Sequence, residues 1–113
     1  MAYSHTLAEL MRPLILPRPG TIEKNMFGGI AFFVNGNICC GIYKDQLILR
    51  VGPDAMDKAL RHKHVRPMDI TGRPMKGWVM VEPEGYEDPA ELLRWIERAF
   101  DFASLLQPKG AKR

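Results

Sequence analysis

Residues 27–51, FGGIAFFVNGNICCGIYKDQLILRV, hold the pattern that decides the fold. Ile30–Val34 is an apolar run rich in strand formers, and Asn35-Gly36 follows it directly. That pair is a strong hairpin signal, because both positions tolerate positive φ. Asn37–Tyr43 then reads as the return strand, Lys44-Asp45 as a second tight turn and Gln46–Val51 as a third strand. Two-residue loops fix a register that sets Phe33 opposite Ile38, Ala31 opposite Cys40, Ile42 opposite Leu47 and Cys40 opposite Leu49. Side chains alternate across a strand. One side of this meander therefore shows Ala31, Phe33, Ile38, Cys40, Ile42, Leu47, Leu49 and Val51. It bears no charge and calls for a cover of helices. The other side shows Ile30, Phe32, Val34, Cys39, Gly41, Tyr43, Ile48 and Arg50, and it too is mostly apolar.

Towards the N-terminus, Gly28-Gly29 stands where a strand begins or another segment comes close. Thr6-Leu7-Ala8-Glu9 fits a capping box, and Leu7, Leu10, Met11, Leu14 and Ile15 follow at helical spacing. Pro13 and Pro17 interrupt that spacing. The pattern predicts a helix from about Tyr3 that kinks or ends near Pro13, then a loop through Pro19-Gly20. Beyond the meander, Gly52-Pro53-Asp54 opens a short helix with Ala55, Met56, Ala59 and Leu60 as its buried stripe. Arg66–Ile70 reads as a short strand, and Pro67, lacking an amide proton, puts it at a sheet edge. Gly77–Val81 is a further strand, closed by Pro83-Glu84-Gly85. Asp88-Pro89-Ala90-Glu91 joins an N-cap, an N1 proline and an N3 carboxylate. The helix it starts runs to about Leu106, with Leu92, Leu93, Ile96, Ala99, Phe100 and Ala103 towards the sheet. The order α-β-β-β-α-β-β-α predicts a two-layer α+β domain with a five-stranded antiparallel sheet and helices gathered on one face. Residues 1–106 make the single domain, and 107–113 a basic flexible tail.

The chain has 113 residues, 46% of them apolar and 26% charged, which excludes a disordered tail protein, a collagen and a long coiled coil. No apolar run approaches the ~18 residues of a membrane span, and no secretory signal pattern opens the chain. Cys39 and Cys40 are adjacent and form no CxxC or Cys–His spacing of metal type. They read as reduced thiols in a cytoplasmic protein. The net charge is +3, but residues 58–76 alone hold Lys58, Arg61, Lys63, Arg66, Arg73 and Lys76 against Asp69, a local +5. Glu82, Glu84, Glu87, Asp88 and Glu91 follow closely. A basic segment beside an acidic one makes a dipolar surface suited to steering or self-association.

Reactive chemistry is sparse. The register buries Cys40 as a small hydrophobe. Cys39, on the opposite side with Arg50, is the better reactive thiol, because a neighbouring cation lowers a thiol's pKa. No positioned base accompanies it, so no catalytic residue is assigned. His5, His62 and His64 make no zinc set, and neither a metal nor a cofactor is expected. Glu82 and Glu84 read as a solvated turn, and Trp78 and Trp95 as core. The second apolar side of the sheet is the main functional clue, since large exposed apolar patches on small domains mark association. Ile30, Phe32, Val34, Tyr43 and Ile48 are expected to form a homodimer or partner surface. Arg61, Lys63, Arg66, Arg73 and Lys76 are the residues that would contact an anion or nucleic acid.

Lys24-Asn25-Met26-Phe27-Gly28-Gly29-Ile30-Ala31-Phe32 resembles the MFGG signature that opens the TfoX/Sxy N-terminal domain family. Asn35-Gly36-Asn37, Cys40-Gly41, Leu49-Arg50-Val51-Gly52, Arg66-Pro67-Met68-Asp69 and Gly72-Arg73-Pro74-Met75-Lys76-Gly77-Trp78 continue the resemblance in order, over about Leu7 to Leu105. It implies a secretion-chaperone-like α+β domain whose fifth strand lies beside the third, with the fourth at the edge. It also implies a bacterial cytoplasmic regulator. Better-known members promote natural competence, acting with a cyclic-AMP receptor protein at promoters. Those members continue into a second, helical domain, whereas this chain stops at Arg113 and is read as a stand-alone N-terminal domain. The leading expectation is a non-enzymatic regulatory module that binds protein, with transcription machinery or a cyclic-AMP receptor protein as partner and a homodimer as a second association. One alternative is a small-molecule binder or minor enzyme using Cys39 and Arg50. The other is direct DNA binding through the basic 58–76 segment.

Overall fold

The computed structural model describes residues 3–26, 28–69 and 72–108. In chain order the elements are α1 (His5–Ile15), β1 (Thr21–Met26), β2 (Gly29–Val34), β3 (Asn37–Tyr43), β4 (Gln46–Arg50), α2 (Pro53–Leu60), β5 (Val65–Pro67), β6 (Trp78–Val81), α3 (Pro83–Tyr86) and α4 (Pro89–Leu105). The two hairpin turns form where expected. Asn35 and Gly36 take φ of 51° and 85°, and Lys44 takes 57°. Gly29 meets the close approach anticipated for it, because a Cβ there would lie 1.9 Å from the Ile42 carbonyl oxygen.

The register departs from the sequence expectation at one residue, and much follows from that. Phe33 pairs with Ile38 as predicted, but Phe32 pairs with Cys40, so Cys39 is an extra residue in a β-bulge. Ala31 therefore faces Gly41 rather than Cys40. A one-residue slip exchanges the faces of every side chain beyond it. Ile30, Phe32 and Val34 turn to the side that carries Cys40, Ile42, Leu47 and Leu49, and all seven are buried. Cys39 joins them in the same buried cluster.

The sheet is open and antiparallel, with six strands in the order β1-β2-β3-β4-β6-β5. The strand at 78–81 lies beside the one at 46–50, and the proline-bearing strand is the edge, as the resemblance implies. The sixth strand is β1, over residues to which the sequence expectation assigns no element. Thr21, Glu23 and Asn25, which pair with Val34, Phe32 and Ile30, are polar, and Ile22 is about half exposed. Alternation of apolar residues cannot reveal such a strand. Contacts with α1 hold it instead. Arg12 donates to both Glu23 carboxylate oxygens at 2.9 Å. The Thr21 hydroxyl lies 3.1, 2.9 and 2.8 Å from the carbonyl oxygens of Ile15, Leu16 and Arg18.

Among the described residues, helices cover only the face that bears Ile30 and Phe32, where Leu7, Ala8, Met11 and Ile15 of α1, Ala59 of α2, Tyr86 of α3 and Leu92, Trp95, Ile96, Ala99 and Ala103 of α4 complete the core. The cap of α1 is Ser4, whose hydroxyl accepts from the Leu7 amide at 3.1 Å, rather than Thr6. The helix passes through Pro13 to Ile15. Pro13 and the Glu9 four residues before it are both exposed, so the interrupted hydrogen bond falls on the solvent side. α4 starts as predicted, with Asp88 accepting from Ala90 N–H at 2.9 Å. The opposite face is roofed in part by the chain itself: Met68, Met75 and Trp78 lie with Tyr43 against Ile48 and Met80.

Candidate functional site

α1 and the start of α4 run side by side without filling the space between them. Their remaining apolar residues face each other across an open groove of about 500 Å³, lined by Leu10, Pro13 and Leu14 from α1 and by Pro89, Ala90, Leu92 and Leu93 from α4. Tyr86 and Glu87 close one end, and Glu9 stands on the α1 side. Leu10 is 51% exposed, and Leu14 and Leu93 beside it in the groove are partly buried. Two carboxylates, Glu9 and Glu87, line the groove, and among the described residues no cation does.

Local chemistry keeps this end rigid. Pro83 starts α3, and Gly85 N–H donates to the Glu82 carbonyl at 2.7 Å. The Tyr86 hydroxyl donates to the Asp45 carbonyl at 2.7 Å, tying α3 to the turn between β3 and β4. Burial first, and then Asp45 and Glu84, push the Tyr86 phenol up to about 12. The Trp95 indole donates to the Gly85 carbonyl at 3.2 Å, tying α4 to α3. The two aromatic side chains thus link α4 to α3 and α3 to the β3–β4 turn of the sheet.

The residues singled out in the sequence are placed differently. Ile30, Phe32 and Val34 are fully buried beneath the helices and cannot form the docking surface expected of them. The bulge at Cys39 is the reason. Ile48 and Tyr43 do lie on the other face, but Ile48 is covered by the 68–78 segment. Cys39 is fully buried in the main core rather than exposed beside Arg50. The Arg50 guanidinium instead donates to the Ile38 carbonyl at 3.4 Å and lies over the rings of Trp78 and Phe102. Hydrogen bonding to Cys39 and burial both push the Cys40 thiol well up, away from the reactive thiolate. The reactive-thiol reading loses its basis.

The five basic residues are all exposed. Arg61 and Lys63 lie in the turn after α2, Arg66 on the edge strand β5, and Arg73 and Lys76 in the segment leading to β6. Arg66 is engaged by Asp69 at 3.4 Å and by Glu82 at 3.8 Å. The basic tail beyond Pro108 lies outside the described residues, while the Gln107 carbonyl before it accepts from the Asn37 side chain at 3.0 Å.

The sequence expectation turns Leu93 towards the sheet and gives Leu10 and Leu14 only as part of the helical spacing of α1. A signal was present: Leu7, Leu10, Met11, Leu14 and Ile15 cover a wider arc of α1 than one sheet contact buries. No pattern in α1 alone shows which of them remain outside.

A six-stranded antiparallel sheet with helices on one face, and a groove between two of those helices, define a small two-layer α+β domain. The family description TfoX N-terminal domain matches residues 14–103, and the chain belongs to that family. No curated protein matches the chain in a sequence search. Among the described residues, no helix is long and apolar enough to cross a membrane.

Proposed function

We propose that this chain is a non-enzymatic regulatory module that works by binding a partner protein, and that the α1–α4 groove is where the partner docks. The occupant is a basic amphipathic helix. The observation behind this reading is the pairing of the half-exposed Leu10, beside the partly buried Leu14 and Leu93, with carboxylates at Glu9 and Glu87 and, among the described residues, no lining cation. Helices that enter grooves present apolar anchors at i, i+3/i+4 and i+7, and their flanking charges select the partner. Lysine or arginine flanks suit this groove, and glutamate flanks do not. Resemblance to competence regulators supports a role in transcriptional control. A cyclic-AMP receptor protein or RNA polymerase is then the kind of assembly that would carry the helix.

The test is fluorescence anisotropy with a labelled amphipathic helical peptide of leucine and lysine, against the same peptide with glutamate for lysine. The lysine peptide is expected to bind saturably and the glutamate peptide is not. Leu10→Asp should weaken binding by about tenfold, which corresponds to about 1.4 kcal/mol. Leu10 is half exposed, so the variant should keep its circular dichroism spectrum. Equal binding of both peptides, or binding unchanged by Leu10→Asp, would overturn the proposal.

A further inference from the structure

The turn after α2 and the end of β6 bring together three side chains that are distant in sequence. His64 precedes β5, Glu82 follows β6, and Glu84 lies in the first turn of α3. One ligating atom from each lies within 4.8 Å of the others, and His64 Nδ1 is 3.9 Å from Glu82 Oε1. The Glu82 amide donates to the His64 carbonyl at 2.9 Å, which fixes the two backbones to each other. Gly85 permits the approach of the third element. A Cβ on it would stand 3.2 Å from the His64 Cβ and 2.6 Å from a Val81 methyl. His64 itself takes a φ of 69°, a left-handed conformation in which histidine is more frequent than most residues.

We propose that His64, Glu82 and Glu84 form a binding site for a divalent transition-metal ion of the zinc class. The donor set decides the class. An imidazole nitrogen with two carboxylates suits Zn²⁺ or Co²⁺, whereas Mg²⁺ and Ca²⁺ favour sites built from oxygen alone. Ligands on a tetrahedral Zn²⁺ with bonds of about 2.0–2.1 Å stand about 3.3 Å apart. The present spacing closes to that by side-chain rotation, and all three side chains retain solvent access. Water would complete the coordination. Arg66 is the built-in competitor: its Nε lies 3.8 Å from Glu82 Oε2, and its Nη1 lies 3.4 Å from Asp69. A bound ion takes Glu82 and leaves Arg66 to Asp69.

That competition gives the test a sign. The intact chain is titrated with CoCl₂, followed by its visible absorption bands, and with ZnCl₂ by calorimetry. One saturable site is expected. His64→Asn keeps a residue that tolerates the left-handed backbone but removes the imidazole, and it should weaken binding by about tenfold or more. Arg66→Gln should tighten binding about three- to fivefold, by removing a positive charge from the site. Zn²⁺ should raise the melting temperature of the parent chain and not that of His64→Asn. His62→Gln, which alters the histidine two residues away, should leave all three readouts unchanged. No saturable binding at millimolar metal, binding indifferent to His64→Asn, or binding lost in His62→Gln would each overturn the assignment.

Discussion

The two faces of the sheet carry similar amounts of apolar residue and are sealed in different ways. On the helix-covered face, the rows Ile30–Ile42–Leu47–Val81 and Phe32–Cys40–Leu49–Val79 run unbroken across β2, β3, β4 and β6. α1 and α4 lie over this face, α2 and α3 pack against β6, and every member of the rows is buried. On the other face, the row through Ala31, Gly41, Ile48 and Met80 begins with the smallest residues available and ends under Met68 and Met75 from the segment before β6 and Trp78 at its start. Strand composition alone does not separate these faces. The covered face is the one whose large side chains fall in register with each other, and a single bulge at Cys39 decides which residues of β2 join it.

The largest effect that would break this contrast is at Phe32. Phe32→Ala should cost about 3–5 kcal/mol, the usual range for a fully buried phenylalanine, read from chemical denaturation. Phe32→Asp should fail to fold rather than yield a folded chain lacking a partner. A folded Phe32→Asp protein of near-native stability would place this side chain on the surface and reverse the assignment of the faces. The corresponding truncation on the other face, Met80→Ala, should cost about 2 kcal/mol, the low end for buried methionine. Its cluster is small and its cover of Met75 and Trp78 is partly exposed, so the site can collapse. Equal losses from Phe32→Ala and Met80→Ala would mean that the loop cover seals as well as the helices do.

How far the fold was legible follows from the same contrast. The hairpin turns, the Asp88 cap, the edge position of Pro67 and the adjacency of the strands at 46–50 and 78–81 all follow from local chemistry or from the family resemblance, and the structure has them. The bulge has no local signature, because Cys39 and Cys40 are equally apolar and either could pair. Once it was missed, Ile30, Phe32 and Val34 went to the wrong side. β1 was missed because its fastening depends on Arg12, eleven residues before Glu23. The groove lay partly in view as a surplus of leucines on α1. His64, Glu82 and Glu84 were out of reach for another reason: they meet only after β5 and β6 have paired.

Polar fasteners at the margins sharpen the account of the helix-covered face. Tyr86→Phe removes the hydrogen bond to the Asp45 carbonyl and should cost about 1 kcal/mol. The phenol is held up to about 12, above its usual value near 10. Its ionised form is therefore disfavoured in the folded state. The stabilising contribution is complete below pH 10 and is lost as pH rises from 10 to about 12. Denaturation midpoints across that window should fall more steeply for the parent chain than for Tyr86→Phe. Parallel slopes would show that Tyr86 is not what ties α3 to the sheet.

The smallest expected effect is at Arg12 and Glu23, which join α1 to the edge strand β1. Both side chains are partly exposed, so the pair is worth at most about 1 kcal/mol even with its two parallel hydrogen bonds. The hydrogen bond from Arg12 holds the Glu23 carboxyl below its usual value of 4.5, against the opposing pull of burial. A carboxyl lowered on folding stabilises the chain above its unfolded pKa and ceases to do so as pH falls through the folded value. Glu23→Gln should therefore lower stability slightly at neutral pH and flatten the acid limb of the stability curve. Hydrogen exchange locates the loss: amides of β1 should exchange faster in Glu23→Gln while those of β3 and β4 stay protected. Faster exchange spread evenly over the sheet would mean that β1 is held by its pairing with β2 and that α1 does not fasten it.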